Sequence, residues 1–236
     1  MRLAQMAANL QPLTAVATAA DLGPPATKNG WDSGDEHGPD PWGNVHFRNK
    51  GPLGPRLSAA AMNIVYGNKT VPYRGPEAAK AALASGAADA MAAATTCADR
   101  SAAAAVTVTF EAGTTGLGMQ WVARECPYLV LKERAHLTKE TPDCPKSIDD
   151  CIAKCAWFDI ELGKGQWVAN ATAVISGTTI KVSAPAYDEQ SCAMLEAGAA
   201  PTGVRYLYGD WPVATLYAKV NDYAEKFPAL PFVLEV

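Results

Sequence analysis

The sequence predicts an α+β protein in which a helical N-terminal part precedes an all-β domain. Two observations predict this class. Residues 53–66 carry apolar side chains at helical spacing, with prolines near the start of the run and Gly67 directly after its end. From Val106 onwards, short runs instead alternate apolar and polar residues between turn-forming residues, as the strands of a β-sandwich do.

The N-terminal 66 residues divide into four predicted elements. Residues 2–10 are expected to end a helix, and residues 14–20 to form a buried strand, because their weak alternation stops at a Gly-Pro-Pro breaker. Residues 22–44 are rich in Gly, Pro and Asp, which predicts a long loop of the kind that is usually functional or disordered. The helix over residues 53–66 follows this loop.

The composition changes after Gly75-Pro76. Alanine dominates residues 77–105, so a helix there would bury little apolar surface and would be marginally stable without a partner. We therefore expect residues 77–105 to be a poorly packed linker or insertion. It would separate a first domain, residues 1–76, from a β-sandwich-like domain, residues 106–236.

The β-sandwich-like domain contains several short strand patterns at regular spacing. Glycine-containing turns at residues 163–165 and 176–178 join four of these patterns into two hairpins. Trp211-Pro212 ends the last strand. The predicted strand segments are residues 106–110, 157–162, 166–168, 173–175, 179–183 and 204–208.

Composition argues against two classes of partner. The chain has 236 residues and a net charge of −4, and its Lys and Arg residues are not clustered, so we expect no nucleic-acid binding. No stretch approaches about 18 consecutive apolar residues, so we expect no membrane span. The chain is long enough for one large domain or two small ones.

The first 20 residues look superficially like a secretory signal, because Arg2 precedes a run rich in alanine. Gln5, Asn9 and Gln11 interrupt the apolar run that a signal needs. We therefore interpret this segment as part of the folded domain and expect no signal peptide in the chain.

Six cysteines follow the first domain, and four of them lie between Cys126 and Cys155. An even number favours a disulfide framework. Cys151 and Cys155 have helical spacing, but the sequence has neither a Cys-x2-Cys pair nor a His-x3-5-His pair, so a metal site is the weaker interpretation and we expect no cofactor. Free buried thiols are the third interpretation.

Two N-glycosylation sequons are present, Asn68-Lys69-Thr70 and Asn170-Ala171-Thr172. Both lie beside turn-like residues that would tolerate a glycan. They are compatible with a glycoprotein of the secretory route.

The stretch from residue 41 to residue 76 contains the residue with the clearest catalytic chemistry. His46 lies in a loop framed by Gly and Pro, directly ahead of the predicted apolar helix. A hydrolase of the open α/β kind places its general base on such a loop, held down by the following helix. The alternative interpretation of His46 is an ordinary surface histidine.

The residues around His46 resemble the histidine block of sialate O-acetylesterases. In that family a His-Pro-Arg-(Asn/Asp)-Lys loop leads into a helix ending in Tyr-Gly, and a Gly-Pro follows before a β-rich domain. Residues 77–156 contribute almost nothing to the resemblance. The matching segments are residues 1–5, 15–22, 43–50, 56–57, 65–67, 75–76, 203–206, 210–212, 216–217 and 230–232.

The resemblance implies a fold, a substrate and a location. The first domain would be the C-terminal remnant of an SGNH-type α/β hydrolase domain, joined to the β-sandwich-like domain. The substrate would be an O-acetylated sugar, such as an O-acetylated sialic acid. Members of the family are generally secreted or lysosomal.

The resemblance also implies that His46 is the general base of an ester hydrolase. The acid that orients it is expected to be Asp40, with Asp21 as the second candidate, since the positions where related hydrolases carry Asp hold Gly43 and Asn44. The family usually has proline where this chain has Phe47, which leaves the backbone of His46 less constrained. A weaker rival for the base is His37.

The serine of such an esterase is not evident in the sequence. Neither a Gly-x-Ser-x-Gly elbow nor the family's Gly-Asp-Ser block occurs, and Ser33 is the only serine with suggestive neighbours, although a turn serine is its simpler interpretation. Three explanations follow: a truncated gene product, a complementary esterase fragment that supplies the missing half, or a lost catalytic role.

Arg205, Tyr206, Asp210 and Trp211 form a second dense group. Their aromatic rings could stack on a sugar while the charged groups bond to its hydroxyls, and the alternative is a core aromatic beside a surface ion pair.

Two functions from different classes remain. One is a serine-type carbohydrate ester hydrolase, and the other is a non-catalytic β-sandwich module that binds glycan or a partner protein.

Overall fold

The fold is given by a computed structural model that describes residues 2–20, 22, 50–121, 157–163, 165–185, 189–208, 215–219 and 227–236. The described helices are α1 (Arg2–Met6), α2 (Leu53–Ile64), α3 (Ala87–Ala93), α4 (Cys97–Ala103) and α5 (Glu189–Glu196), and a 3-10 helix, Ala7–Leu10, extends α1. The described strands are β1 (Ala78–Leu83), β2 (Ala105–Phe110), β3 (Met119–Trp121), β4 (Phe158–Leu162), β5 (Trp167–Ser176), β6 (Thr179–Ser183), β7 (Pro201–Tyr206), β8 (Leu216–Ala218) and β9 (Phe232–Glu235).

The predicted helix end over residues 2–10 is confirmed, but the predicted strand over residues 14–20 is wrong. Side chains satisfy the backbone there instead of a neighbouring strand. Asn9 Oδ1 accepts a hydrogen bond from the Val16 N–H at 2.9 Å, and the Thr14 hydroxyl donates to the Ala8 carbonyl oxygen. Local bonds of this kind compete with sheet pairing, and the weak alternation of this segment does not override them.

The predicted helix over residues 53–66 is confirmed as α2. Gly67 ends it in the left-handed region, at φ +73°, and the next N–H, that of Asn68, bonds to the Met62 carbonyl at 3.0 Å. Glycine adopts this conformation at little cost, which accounts for the Tyr-Gly pair at the end of the helix. The helix buries Arg56 and Asn63.

In the described part of the chain, seven strands form one antiparallel sheet in the order β1-β2-β6-β5-β4-β7-β9, and β3 pairs with β8. The ten-residue strand β5 belongs to both halves of the sheet, since residues 167–171 pair with β4 and residues 172–176 pair with β6. Strand β1 lies against β9, and β2 lies against β7. The sheet is therefore folded over into two layers.

One core lies between the two layers and contains side chains from both. Aromatic rings from opposite layers meet there: Phe110 of β2 packs edge-on against Phe232 of β9, with centroids 6.1 Å apart. Phe158 of β4 also contacts Phe232, at 6.0 Å, and lies 4.8 Å from Tyr206 of β7. Such pairs add to the free energy gained from burying the rings themselves.

Both predicted hairpins and the predicted strands at residues 106–110 and 204–208 are confirmed, the latter two with ends shifted by up to three residues. The strands predicted separately at residues 166–168 and 173–175 are one continuous strand, β5. Gly163, Gly165 and Gly177 all take positive φ in the hairpin turns. Turns that match the twist of a hairpin need this conformation, which explains why the glycine signals located both hairpins.

The expectation that residues 77–105 are poorly packed is wrong, while their assignment as a linker or insertion between two domains stays a prediction. Residues 78–83 form strand β1, which pairs with β2, and α4 is tied to α5 by a disulfide between Cys97 and Cys192. Arg100 also donates to the Leu195 carbonyl oxygen at 3.3 Å. Alanine composition misled the prediction because backbone pairing and a covalent cross-link need no large side chains.

The described fold is α+β and rich in antiparallel strands, as predicted at that level. The finer interpretation, an SGNH-type remnant within residues 1–76, stays a prediction. Within the described residues, no helix is both long enough and apolar enough to cross a membrane.

Candidate functional site

The two residues expected to carry out catalysis, His46 and Asp40, lie outside the described residues. The same holds for Asp21, Ser33 and His37. The structure does describe the residues on both sides of this segment, and it brings them together.

Arg56 of α2 joins the two sides. Its side chain is buried, with 3% of its surface exposed, and its Nη1 donates to the Thr18 carbonyl oxygen at 2.6 Å. A buried guanidinium must be hydrogen-bonded, because leaving it unpaired would cost about 3–5 kcal/mol. The bond therefore holds the chain just before residue 21 close to the helix that begins after residue 49.

The C-terminal end of α2 is fixed in a similar way. Asn63 donates through Nδ2 to the Val71 carbonyl at 2.9 Å, and Lys69 Nζ donates to the Asn63 carbonyl at 2.9 Å.

In the neighbouring sequon, Asn68 Oδ1 accepts from the Thr70 hydroxyl at 2.7 Å, and both residues are exposed. Glycosylation of Asn68 stays a prediction, as does that of Asn170.

Gly75-Pro76 docks the chain against the β-rich part. A Cβ atom at Gly75 would lie 2.5 Å from the Phe227 carbonyl oxygen and closer still to that of Pro228. Pro76 accepts a hydrogen bond from the Leu230 N–H at 3.2 Å. Only glycine leaves room for this close backbone approach.

The second predicted group divides between the core and the surface. Tyr206 is fully buried, and its hydroxyl accepts hydrogen bonds from the N–H groups of Thr215, at 3.3 Å, and Leu216, at 3.2 Å. Tyr206 is thus a core residue. Asp210 and Trp211 lie outside the described residues.

Arg205 lies on the outer face of the sheet, because the side chains of Val204 and Tyr206 on either side of it point into the core. Its Nε donates to Asp159 Oδ2 at 2.7 Å, and the two side chains are 18% and 14% exposed. Its guanidinium carbon lies 4.3 Å from the ring centroid of Trp167 and 4.1 Å from that of Tyr208. We call Asp159, Trp167, Arg205 and Tyr208 the Arg205 cluster.

Sequence reasoning missed Asp159, Trp167 and Tyr208 as members of this cluster. Asp159 is directly opposite Arg205 in the β4–β7 register, and Trp167 is one strand further away, on β5. A strand pattern shows which face a residue occupies but not which strand becomes its neighbour. The available signal was the alternation that places Asp159 and Arg205 on outward positions.

A second carboxylate near the cluster, that of Glu161, has its own partners. Glu161 accepts hydrogen bonds from the Gly165 N–H at 2.6 Å and from the Thr202 hydroxyl at 2.8 Å. Within the described ranges, no group of three or more His, Cys, Asp or Glu residues is placed to hold a metal ion.

No protein-family model and no curated protein matches this chain. Among solved structures, the chain is similar to a carbohydrate acetylesterase from Xanthomonas citri, at 20% sequence identity and a TM-score of 0.45. The likeness covers 80% of this chain and 29% of that protein, so the chain spans less than a third of the length of this structural neighbour. A TM-score and an identity this low establish neither a shared family nor a shared activity.

Proposed function

We propose that this chain belongs to a carboxylic ester hydrolase that removes acetyl groups from O-acetylated sugars, related to the sialate O-acetylesterases. The observation that carries the proposal is the sequence of separated blocks in the order of that family, with His46 in the block at residues 43–50. The structure supports it indirectly. Arg56, Gly67 and Gly75, which all belong to these blocks, occupy positions that need their residue types.

In this proposal His46 accepts the proton of a serine hydroxyl as its oxygen attacks the acetyl carbonyl carbon. Asp40 orients the imidazole and stabilises its charged form. The sugar oxygen leaves with the proton from His46, and an acetyl-serine remains. Water, activated by the same imidazole, then releases acetate. The serine comes from Ser33 or from a complementary esterase fragment.

A serine-directed fluorophosphonate, combined with hydrolysis of a simple aryl acetate, tests the proposal. The protein is purified from its own cells, so that any bound fragment is retained, and again from a heterologous host. We expect label and turnover together, both lost in His46→Ala and both kept in His37→Ala. The labelled polypeptide identifies the source of the serine. No label and no turnover in either preparation would refute the proposal.

The second candidate is a non-catalytic β-sandwich module that binds glycan. Its specific support is the half-exposed ring of Tyr208 stacked on the Arg205 guanidinium, together with the lack of a nucleophile motif. Glycan binding that is unaffected by His46→Ala, in a chain without turnover, would favour this candidate.

A further inference from the structure

The Arg205 cluster depends on a break in strand alternation just after β7. In a regular strand, Tyr208 would point to the same face as the buried Tyr206. Leu207 instead takes φ +54°, and its side chain is fully buried while Tyr208 is 51% exposed. The left-handed residue therefore turns Tyr208 outward, over the Arg205 guanidinium.

The conformation of Leu207 is unfavourable for a residue with a bulky side chain. Trp157, whose carbonyl accepts the Leu207 N–H, is also left-handed, at φ +57°. Strained residues of this kind concentrate at binding and catalytic sites, where the surrounding fold holds them in place. Here the strain delivers an exposed ring to a cation.

A missing side chain makes room for the second ring. A Cβ atom at Gly203 would lie 3.2 Å from a ring carbon of Trp167 and 2.9 Å from Glu161 Oε2. The Trp167 ring thus extends from β5 to β7 at Gly203, which has no side chain, and there it contacts the Arg205 guanidinium. The two rings come from different parts of the chain and meet the same guanidinium.

Within the described residues, only Nε of that guanidinium has a hydrogen-bond partner. Nε is bonded to Asp159, but among the residues that the structure describes, no hydrogen bond reaches Nη1 or Nη2 of Arg205. A guanidinium presents its terminal N–H groups in one plane, as a fork that fits two neighbouring acceptor oxygens. Stacking against rings and the bond to Asp159 restrict this fork before any ligand arrives.

Charge on the same face argues against an anionic ligand. Asp159 already balances Arg205, and Glu161 and Glu235 add two carboxylates on either side of Gly203. Within this group of described residues, the three carboxylates therefore outnumber the single base, Arg205. An acidic sugar or a phosphate would be repelled, whereas a neutral polyol would not.

We propose that the Arg205 cluster binds an uncharged sugar. Two vicinal hydroxyl oxygens accept hydrogen bonds from Nη1 and Nη2 of Arg205, and an apolar C–H face of the sugar ring stacks on the exposed part of Tyr208. Trp167 supports the guanidinium from β5. The site would hold a neutral unit of a glycan chain, and it is separate from the residues proposed for ester hydrolysis.

The test is a titration of the whole chain with uncharged sugars that carry no O-acetyl group. Glucose, galactose, N-acetylglucosamine and their soluble oligomers are added while backbone and indole N–H signals are followed by NMR. We expect at least one of these sugars to shift the Trp167 indole signal and the amide signals of residues 203–208. Because no ester is present, the result is independent of the proposed hydrolysis.

Variants locate the site. Tyr208→Ala and Arg205→Lys are each expected to weaken binding about tenfold, through loss of the stacked ring and of the planar fork. Tyr73→Ala is the matched control, because Tyr73 also stacks on an ion-paired arginine, Arg74, at 4.9 Å, and should leave binding unchanged.

Three results would overturn the proposal. These are no shift with any sugar of the panel, binding that Tyr208→Ala leaves intact, and binding of glucuronic acid with none of its uncharged analogues. Tyr208 is half-exposed, so its alanine variant is expected to fold even where Arg205→Lys does not.

Discussion

The backbone N–H of Leu207 donates to the Trp157 carbonyl oxygen at 3.1 Å, and both residues lie in the left-handed region. The bond closes the end of the β4–β7 pair, beyond Phe158 and Tyr206, which are opposite each other. The β4–β7 pairing ends at this bond, and the side chain of Leu207 enters the core there.

This relationship predicts an unusual order of stability at position 207. Leu207→Ala and Leu207→Gly both remove a fully buried side chain, at a cost of about 2–5 kcal/mol. At most positions glycine would be the less stable of the two, by about 0.5–1 kcal/mol. Here the positive φ favours glycine, so Leu207→Gly should be at least as stable as Leu207→Ala in urea unfolding. A clearly less stable glycine variant would contradict the strain.

Gly75 provides a test of backbone packing. Its φ is not in the left-handed region, so the cost of Gly75→Ala comes from the collision with the Phe227 and Pro228 carbonyl oxygens. We expect a loss of stability of about 2 kcal/mol or more, since the atoms in the way are backbone. The matched control is Gly54→Ala in α2, where a Cβ meets nothing within 4 Å and the change should be neutral or stabilising.

Local signals predicted the elements that depend on local chemistry. The end of α2 and both hairpin turns can be located from the sequence because Gly67, Gly163 and Gly177 need positive φ, and glycines are visible in the sequence. The strand β1 was missed because nothing in an alanine-rich run specifies a partner. Its pairing with β2 is a long-range event that only the assembled sheet reveals.

The candidate sites show the same division. Arg205 stood out in the sequence, but its partners Asp159 and Trp167 become neighbours only through strand register. Tyr208 reaches the outer face because Leu207 breaks the alternation, which no periodicity rule anticipates. The roles of His46 and Asp40 stay predictions from resemblance, since both lie outside the described residues.

The disulfide between Cys97 and Cys192 joins α4 to α5 across 95 residues of sequence. In the chain-entropy model, closing a loop of this length stabilises the folded state by about 4–5 kcal/mol, and measured values are commonly about 2–4. We expect the Cys97→Ser, Cys192→Ser double variant to lose about 2–5 kcal/mol of unfolding free energy. Denaturant unfolding with and without reductant measures it. Equal unfolding midpoints for the double variant and the oxidised wild type would contradict the prediction.

Arg56 and Arg74 allow a buried and an exposed arginine to be compared in one chain. Arg56→Ala removes a buried donor and leaves the Thr18 carbonyl without that partner, so a loss of about 2–4 kcal/mol is expected. Arg74→Ala breaks an ion pair with Glu77 at 2.8 Å whose side chains are about one-third exposed, and should cost about 0–1 kcal/mol.

Chemical denaturation of both arginine variants measures this difference, and limited proteolysis locates it. If Arg56 holds the two sides of residues 21–49 together, Arg56→Ala should speed cleavage within that segment under conditions where Arg74→Ala does not. The ester hydrolysis proposed for this protein should also be slower in Arg56→Ala, because a general base at His46 must be held in position. Equal cleavage rates in the two variants would mean that the Arg56–Thr18 bond stabilises α2 alone and does not position the histidine segment.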